Sequence, residues 1–349
     1  MVKSRAASSV VIATPYLAAA NNGNWRTAAR WARLLAQDYE VIVQASDAPL
    51  PRACDTLIAL HARRSGTAVA RWRMERRDGA VVVALTGTDL YRDIPEHDPD
   101  AWASLAAADG LIVLQEHALG AVPAPYRSKT HVVYQSARTL TPRTDRTLAG
   151  GQLICVFVAH LRPEKDPETV LAAWRVLDRG AAIRLTVVGE ALDKALGAAL
   201  MTAAARDARI QWQGARPHAW TRQAIKRADL LICPSRMEGG ANVVVEAITA
   251  GTPVLASCMS GNLGMLGEDY AGYFPVGDAT ALARLLARCA GEPDFAAFLG
   301  RQCTARAPLF APAAERAALR TAITAAHAVR APDANAPERI PSTPTKDIP

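Results

Sequence analysis

The sequence predicts an α/β protein made of two parallel-sheet units in succession. Short β-branched runs alternate with longer stretches rich in Ala, Leu and Arg, the pattern of strands joined by covering helices. The series halts at residues 139–151, a linker rich in Thr, Arg, Pro and Gly, and then restarts. At 349 residues the chain is long enough for two cores of ordinary size.

In the first unit, residues 1–140, strands fit 10–13, 41–44, 56–60, 81–85, 110–114 and 131–134. Helices fit 25–36, after the polar turn 21–24, and 67–77, whose basic residues face outward. The second unit, residues 152–300, places strands at 153–158, 183–188, 210–213, 230–233 and 254–256. Its helices fit 167–177, 193–205, 220–227, 242–250 and 279–289. An alanine-rich stretch then reads as a terminal helix within 310–330. Residues 331–349 hold Pro, Asp and small polar side chains with almost no large apolar ones, which predicts disorder.

Composition narrows the function. Half the residues are hydrophobic and 21% are charged, the balance of a soluble globular protein. The net charge of +7 points to an anionic ligand. The basic residues stand in short groups, such as Arg63-Arg64 and Arg76-Arg77, without a long basic run. A small phosphorylated substrate is therefore expected rather than nucleic acid. The six cysteines contain no C-x-x-C pair, and Cys155 and Cys233 lie in apolar runs. That pattern predicts a reducing compartment and no zinc site. The seven histidines show no ligand spacing either, so neither metal nor cofactor is expected. Lys3 and Arg5 precede the apolar run 10–12, as in a signal peptide, but Pro15 and Tyr16 interrupt it. The segment fits a first strand better, and the expected location is cytoplasmic. No apolar run approaches the ~18–20 residues that span a bilayer.

In open parallel sheets, ligands bind beyond the carboxyl ends of the strands. Two such units facing each other would enclose a cleft, so the strand-to-helix loops should carry the chemistry. The most informative is 235–254, where Glu238 and Glu246 lie eight residues apart. Glu238 opens a turn with Gly239, Gly240 and Ala241, and Asn242 starts the helix that Gly251 and Pro253 end. A glycine turn at a helix N-terminus suits phosphate, and two carboxylates beside it can accept hydrogen bonds from sugar hydroxyls. In the same unit, His160, Arg162 and Lys165 stand in a loop that could neutralise a departing diphosphate without a metal. Gly214 and Arg216 could flank the base.

The first unit lacks a G-x-G-x-x-G turn, which argues against a dinucleotide oxidoreductase. Instead Asn22, Gly23 and Asn24 form a polar turn in which Asn24 would cap the helix. Arg26 stands in the first helical turn, against the helix dipole unless an anion sits nearby. His61 and Arg63 follow the third strand, and Thr86, Gly87 and Thr88 the fourth, with Asp89 able to orient a neighbour. All of these are candidates for the acceptor side.

These residues resemble the retaining glycosyltransferases of the glycogen-synthase-like superfamily. That resemblance implies the GT-B fold, two Rossmann-like domains facing across a cleft. It rests on Glu, seven residues, then Glu, here Glu238 to Glu246, and on the Pro163-Glu164-Lys165 loop. It implies that Glu238 meets the donor sugar, Glu246 the ribose and Lys165 the diphosphate. Three departures stand out: Gly240 replaces the usual phenylalanine, His160 the usual arginine, and Thr86 the histidine of the first-domain H-G-x-D element.

Together with segments 23–32, 60–65, 84–93, 134–137 and 160–167, the departures look like the selenosugar synthases of selenoneine biosynthesis. This narrower resemblance implies transfer from a UDP-sugar, chiefly UDP-N-acetylglucosamine, to selenophosphate, giving a 1-seleno-sugar, UDP and phosphate. It also implies a functional link to a selenophosphate synthetase. Lys165, Glu238 and Arg26 would then be the catalytic residues. The competing expectations are a GT-B glycosyltransferase acting on a hydroxyl and a non-catalytic nucleotide-sugar-binding protein.

Overall fold

Each apolar run of the first half becomes a strand of one sheet in the computed structural model, which describes residues 8–18, 23–141 and 151–330. The elements are β1 (Ser9–Thr14), α1 (Gly23–Leu35), β2 (Glu40–Ala45), β3 (Thr56–Leu60), α2 (Gly66–Glu75) and β4 (Ala80–Ala84). They continue with α3 (Pro99–Ala107), β5 (Gly110–Val113), α4 (Ala118–Ala121) and β6 (Thr130–Val132). The sheet is parallel throughout, in the order β2-β1-β3-β4-β5-β6. Alternation along β1 explains why both faces are covered. Val11 and Ala13 join one core cluster, with Trp72 and Leu105, while Val10 and Ile12 join the other, with Trp31 and Leu35. The run 10–12 is thus the buried centre of a strand.

The second half repeats the scheme. It contains β7 (Leu153–Val158), α5 (Pro167–Val176), β8 (Ile183–Val188), α6 (Lys194–Arg206), β9 (Ile210–Trp212), α7 (His218–Arg227) and β10 (Leu230–Cys233). There follow α8 (Asn242–Thr249), β11 (Val254–Ser257), α9 (Ser260–Leu266), β12 (Tyr273–Phe274), α10 (Ala279–Gly291) and α11 (Pro293–Arg306). The parallel order is β12-β11-β10-β7-β8-β9, the doubly wound arrangement of dinucleotide-type domains. Aspartates start its helices: Asp166 accepts from Thr169 N before α5, and Asp278 from Ala281 N before α10. Gly251, at a φ of 70°, ends α8 in the left-handed conformation that a Cβ disfavours.

The terminal helix, α12 (Pro312–Arg330), returns to the first domain. Leu319, Ala322, Ile323 and Ala326 pack with α1 and the sheet in one apolar cluster. Burying Leu319 and Ile323 there stabilises the docking by roughly 1.5–3 kcal/mol each. Glu315 anchors the helix: it is buried and accepts from Trp31 Nε1 at 2.7 Å, Arg30 Nε at 3.0 Å and Ser136 N at 2.9 Å. Among the described residues the chain passes between the domains at 137–140, where Leu140 N reaches the Thr249 carbonyl, and again near 307–312.

Several expectations need correction. Helices α3, α4, α9 and α11 and strand β12 were not foreseen from sequence, and Asp89–Asp93 forms a single π-helical turn. Asn24 does not cap α1, because the helix already begins at Gly23. Asn21, Asn22, most of the linker and the tail expected to be disordered, 331–349, lie outside the described residues. No helix among the described residues is long and apolar enough to cross a membrane.

Candidate active site

Sheet order decides where the site lies. In the second domain the strand order reverses between β7 and β10, and the loops after them diverge to leave a crevice. The first domain has its own reversal between β1 and β3. The two crevices face each other and merge into one cleft of about 670 Å³.

On the second-domain wall, Lys165 Nζ lies 2.5 Å from Glu238 Oε1, which also accepts from Ser235 Oγ at 2.7 Å. The loop carrying Lys165 is fixed from beneath. Asp166, at a φ of 48°, caps α5 and pairs with Arg236 at 3.0 Å, while Arg236 N donates to the Glu164 carbonyl. His160 Nδ1 accepts from Glu190 N at 3.2 Å. Glu246, inside α8, lies 2.6 Å from His218 Nε2. Gly261 at the start of α9 lets that helix approach closely, since a Cβ there would collide with the Glu238 carbonyl oxygen.

On the first-domain wall, α1 points its N-terminus into the cleft. A Cβ on Gly23 would stand 3.9 Å from the Asn242 side chain, so the N-termini of α1 and α8 converge. Each carries the partial positive charge of a helix N-terminus. Arg26 stands in that first turn. Burial lowers its pKa, and the Glu246 carboxylate across the cleft opposes the shift. Arg30 reaches the same place, donating to Asn242 Oδ1 at 3.2 Å while bound to Glu315. His61, at a φ of 77°, holds Asp89 through Nδ1 at 2.6 Å and Thr88 Oγ1 through Nε2 at 2.9 Å. Arg64 donates to the Tyr16 hydroxyl at 2.9 Å.

The walls touch at two glycines. A Cβ on Gly87 would stand 2.7 Å from Gly239 N, and one on Gly239 would stand 2.6 Å from Gly87 N. That close approach puts the Thr86–Thr88 loop beside Glu238. Gly239→Ala is expected to push the walls apart and lower kcat/KM by about 10²-fold, the cost of displacing reacting groups by about 1 Å. Steady-state kinetics beside a thermal melt would separate this from unfolding.

Of the residues expected from sequence, Gly23, Asn24, Arg26, His61, Thr86, Gly87, Thr88, His160, Arg162, Lys165, Arg216, Glu238, Gly239, Gly240, Ala241, Asn242 and Glu246 all line the cleft. Two do not. Arg63 is drawn away by Asp98 at 2.9 Å and Asp93 at 3.6 Å, and the neighbouring Arg64 takes the cleft position instead. Gly214, at a φ of 64°, shapes its loop by accepting from Gly189 N, and leaves the lining to Ala215 and Arg216. Asn22 lies outside the described residues. His218, Ser235 and Gln135 were missed as site residues. For His218 a signal existed, since it closes the loop after β9 at the start of α7. Buried Gln135 has only fold topology to place it.

Five Lys or Arg side chains and four glutamates line the cleft. His61, Asp89 and Asp93 are the group, among the described residues, with ligand atoms close enough for a metal. Both His61 nitrogens already have partners, and Arg92 and Arg63 hold Asp93, so this cluster fits a hydrogen-bonded network better than an ion. Cys233 also lines the cleft, and burial pushes its thiol up to about 11. It should stay protonated and unreactive, so iodoacetamide at pH 8 is expected to label exposed Cys258 well before Cys233, as peptide mass mapping would read.

Residues 142–302 match the family described as glycosyl transferases group 1. Among curated proteins, a D-inositol 3-phosphate glycosyltransferase of Segniliparus rotundus is 34% identical over 34% of this chain and 28% of its own length. One from Nocardia farcinica is 30% identical over 51% of this chain and 41% of its own length. The chain thus spans less than half the length of these relatives. Among solved structures, Anabaena HepE in complex with UDP superposes with a TM-score of 0.71 at 17% identity, covering 90% of this chain and 99% of that one. A sucrose-phosphate synthase from Thermosynechococcus elongatus gives 0.73 at 17% identity, covering 90% and 98%. The fold is GT-B.

Proposed function

We propose that the chain is a group 1 glycosyltransferase that transfers a sugar from a UDP-sugar, chiefly UDP-N-acetylglucosamine, to selenophosphate, with the sugar's anomeric carbon bonded to selenium. The observation that carries the donor half is the Lys165–Glu238 pair beside the α8 N-terminus, with Glu246 further along the same helix. Lys165 would leave Glu238 for the diphosphate as the glycosidic bond breaks, while Glu238 and Ser235 hold the sugar. The N-terminal amides of α8 would take the remaining charge. His218 would fix Glu246 for the ribose.

The acceptor half rests on α1. Its N-terminus, Arg26 and Arg64 offer charge to a small anion from the first-domain side. A hydroxyl acceptor must lose a proton during attack, whereas selenophosphate is already an anionic nucleophile through selenium. The departures at Thr86, His160 and Gly240 and the resemblance to selenosugar synthases favour that acceptor. A second reading has a phosphorylated polyol as acceptor, favoured by the printed activity of the curated relatives. Both readings place a phosphate group near Arg26.

The test is to incubate the protein anaerobically with UDP-N-acetylglucosamine and either selenophosphate or inositol 3-phosphate, and to measure UDP. Release with selenophosphate alone is expected, and release only with the polyol would replace the first reading by the second. Arg26→Ala is expected to raise the KM for selenophosphate about ten-fold more than the KM for donor, as loss of a charged contact to the acceptor should. An equal rise for both would assign Arg26 to Glu246 and the donor side.

A further inference from the structure

Transfer to selenophosphate leaves a phosphate on selenium, and its removal is a second reaction with a different demand. Attack by selenium needs no base. Hydrolysis of the P–Se bond does, because water must lose a proton as it bonds to phosphorus. The first-domain wall contains an arrangement suited to that step.

Thr88 Oγ1 lies 2.9 Å from His61 Nε2, and His61 Nδ1 lies 2.6 Å from Asp89 Oδ1. Asp89 is buried and held in place by Thr86 N at 2.8 Å and Thr86 Oγ1 at 3.0 Å. Arg64 N also approaches Nδ1, at 3.3 Å, but the carboxylate at 2.6 Å is the closer partner; with the Nδ1 proton donated to it, Nε2 is left to accept the Thr88 proton. A hydroxyl, an imidazole and an orienting carboxylate in this sequence form a proton relay. Its outer end faces the cleft, one residue from the Gly87–Gly239 contact, and so beside the donor sugar. The His61 backbone is kept in the left-handed region, where a histidine persists only when its surroundings hold it.

We propose that Thr88, His61 and Asp89 activate the water that cleaves the phosphorylated selenosugar, an inference that rests on the transfer reading above. The water oxygen bonds to phosphorus and the P–Se bond breaks, with selenium keeping the electron pair. The water proton passes to Thr88 Oγ1 as the Thr88 proton passes to His61 Nε2. The products are the selenolate of the sugar and inorganic phosphate, and no atom changes oxidation state. Thr88 and His61 are then catalytic residues of the second step, and Asp89 is a positioning residue.

The experiment follows UDP and phosphate separately, by chromatography and phosphorus NMR, in wild type, Thr88→Val and His61→Asn. Asparagine tolerates the left-handed backbone at position 61, and valine removes only the hydroxyl at 88. In both variants phosphate release should fall behind UDP release by about 10²-fold, whatever the change in UDP release itself, with a phosphorylated selenosugar accumulating. A parallel fall of UDP and phosphate would assign the cluster a structural role and overturn the relay. Unchanged phosphate release would overturn it too. If His61→Asn fails to fold, Thr88→Val carries the test. If wild type releases no UDP with selenophosphate, the transfer reading itself fails and the relay falls with it, a result distinct from either variant outcome.

Discussion

Lys165→Ala is expected to lower kcat by about 10³-fold while leaving the protein folded, since removing one preorganised charge from a developing anion costs that order. UDP leaves as a diphosphate, and its charge grows as the glycosidic bond lengthens. Lys165 and the amides of α8 meet that charge, and Lys165 supplies the formal cation nearest Glu238. The folded state loses less. Lys165 is partly exposed, with 22% of its side chain open, and Glu238, though buried, keeps Ser235 as a partner, so the stability change should be about 1–2 kcal/mol, below the cost of breaking a fully buried pair. Lys165→Arg should recover part of the rate, because charge returns without the same reach. A kcat within ten-fold of wild type for Lys165→Ala would remove the residue from the leaving-group role.

The largest expected loss of stability comes from a residue far from the chemistry. Glu315→Ala should destabilise the fold by about 3–5 kcal/mol, the cost of leaving a buried charge without its partner. Four groups depend on this carboxylate: the Arg30 guanidinium, Trp31 Nε1, and the Ser136 amide and hydroxyl. Arg30 is nine-tenths buried and cannot turn to solvent, so its charge stays unpaired. Glu315→Gln keeps the shape and one acceptor oxygen, and should cost less. Chemical denaturation measures both. A loss under about 1 kcal/mol for the alanine variant would mean that Arg30 finds another partner.

The strands were legible because burial on both faces demands short continuous apolar runs, and those are visible without neighbours. The donor loop was legible too, since Glu238, Asn242 and Glu246 lie within one turn and one helix. What escaped depends on contacts distant in sequence. Helix α9 contains Gly261 and Gly264, poor helix formers, and both positions serve close approach: one to the Glu238 backbone, the other to Gln115. The terminal helix could be read as a helix, but its docking on the first domain depends on Glu315 meeting Arg30 across 285 positions. Arg63 and Arg64 are neighbours of the same type, and local sequence cannot say which one Asp98 captures. The Thr88–His61–Asp89 relay joins two loops 27 residues apart, brought together by the β3–β4 pairing.

Two crossings between the domains restrict how the cleft can open. A body tied by a single chain segment can swivel in any direction, whereas one tied at two points swings about the line joining them. Here both ties are fastened close together: Ala137 N donates to the Phe310 carbonyl at 3.2 Å, and Leu140 N to the Thr249 carbonyl at 3.0 Å. Those bonds hold the two connections together beside the far end of α8. An opening hinged there would carry the Gly87 and Gly239 loops apart along one arc and return them to the same register. Product escape and substrate alignment would then be two ends of one motion.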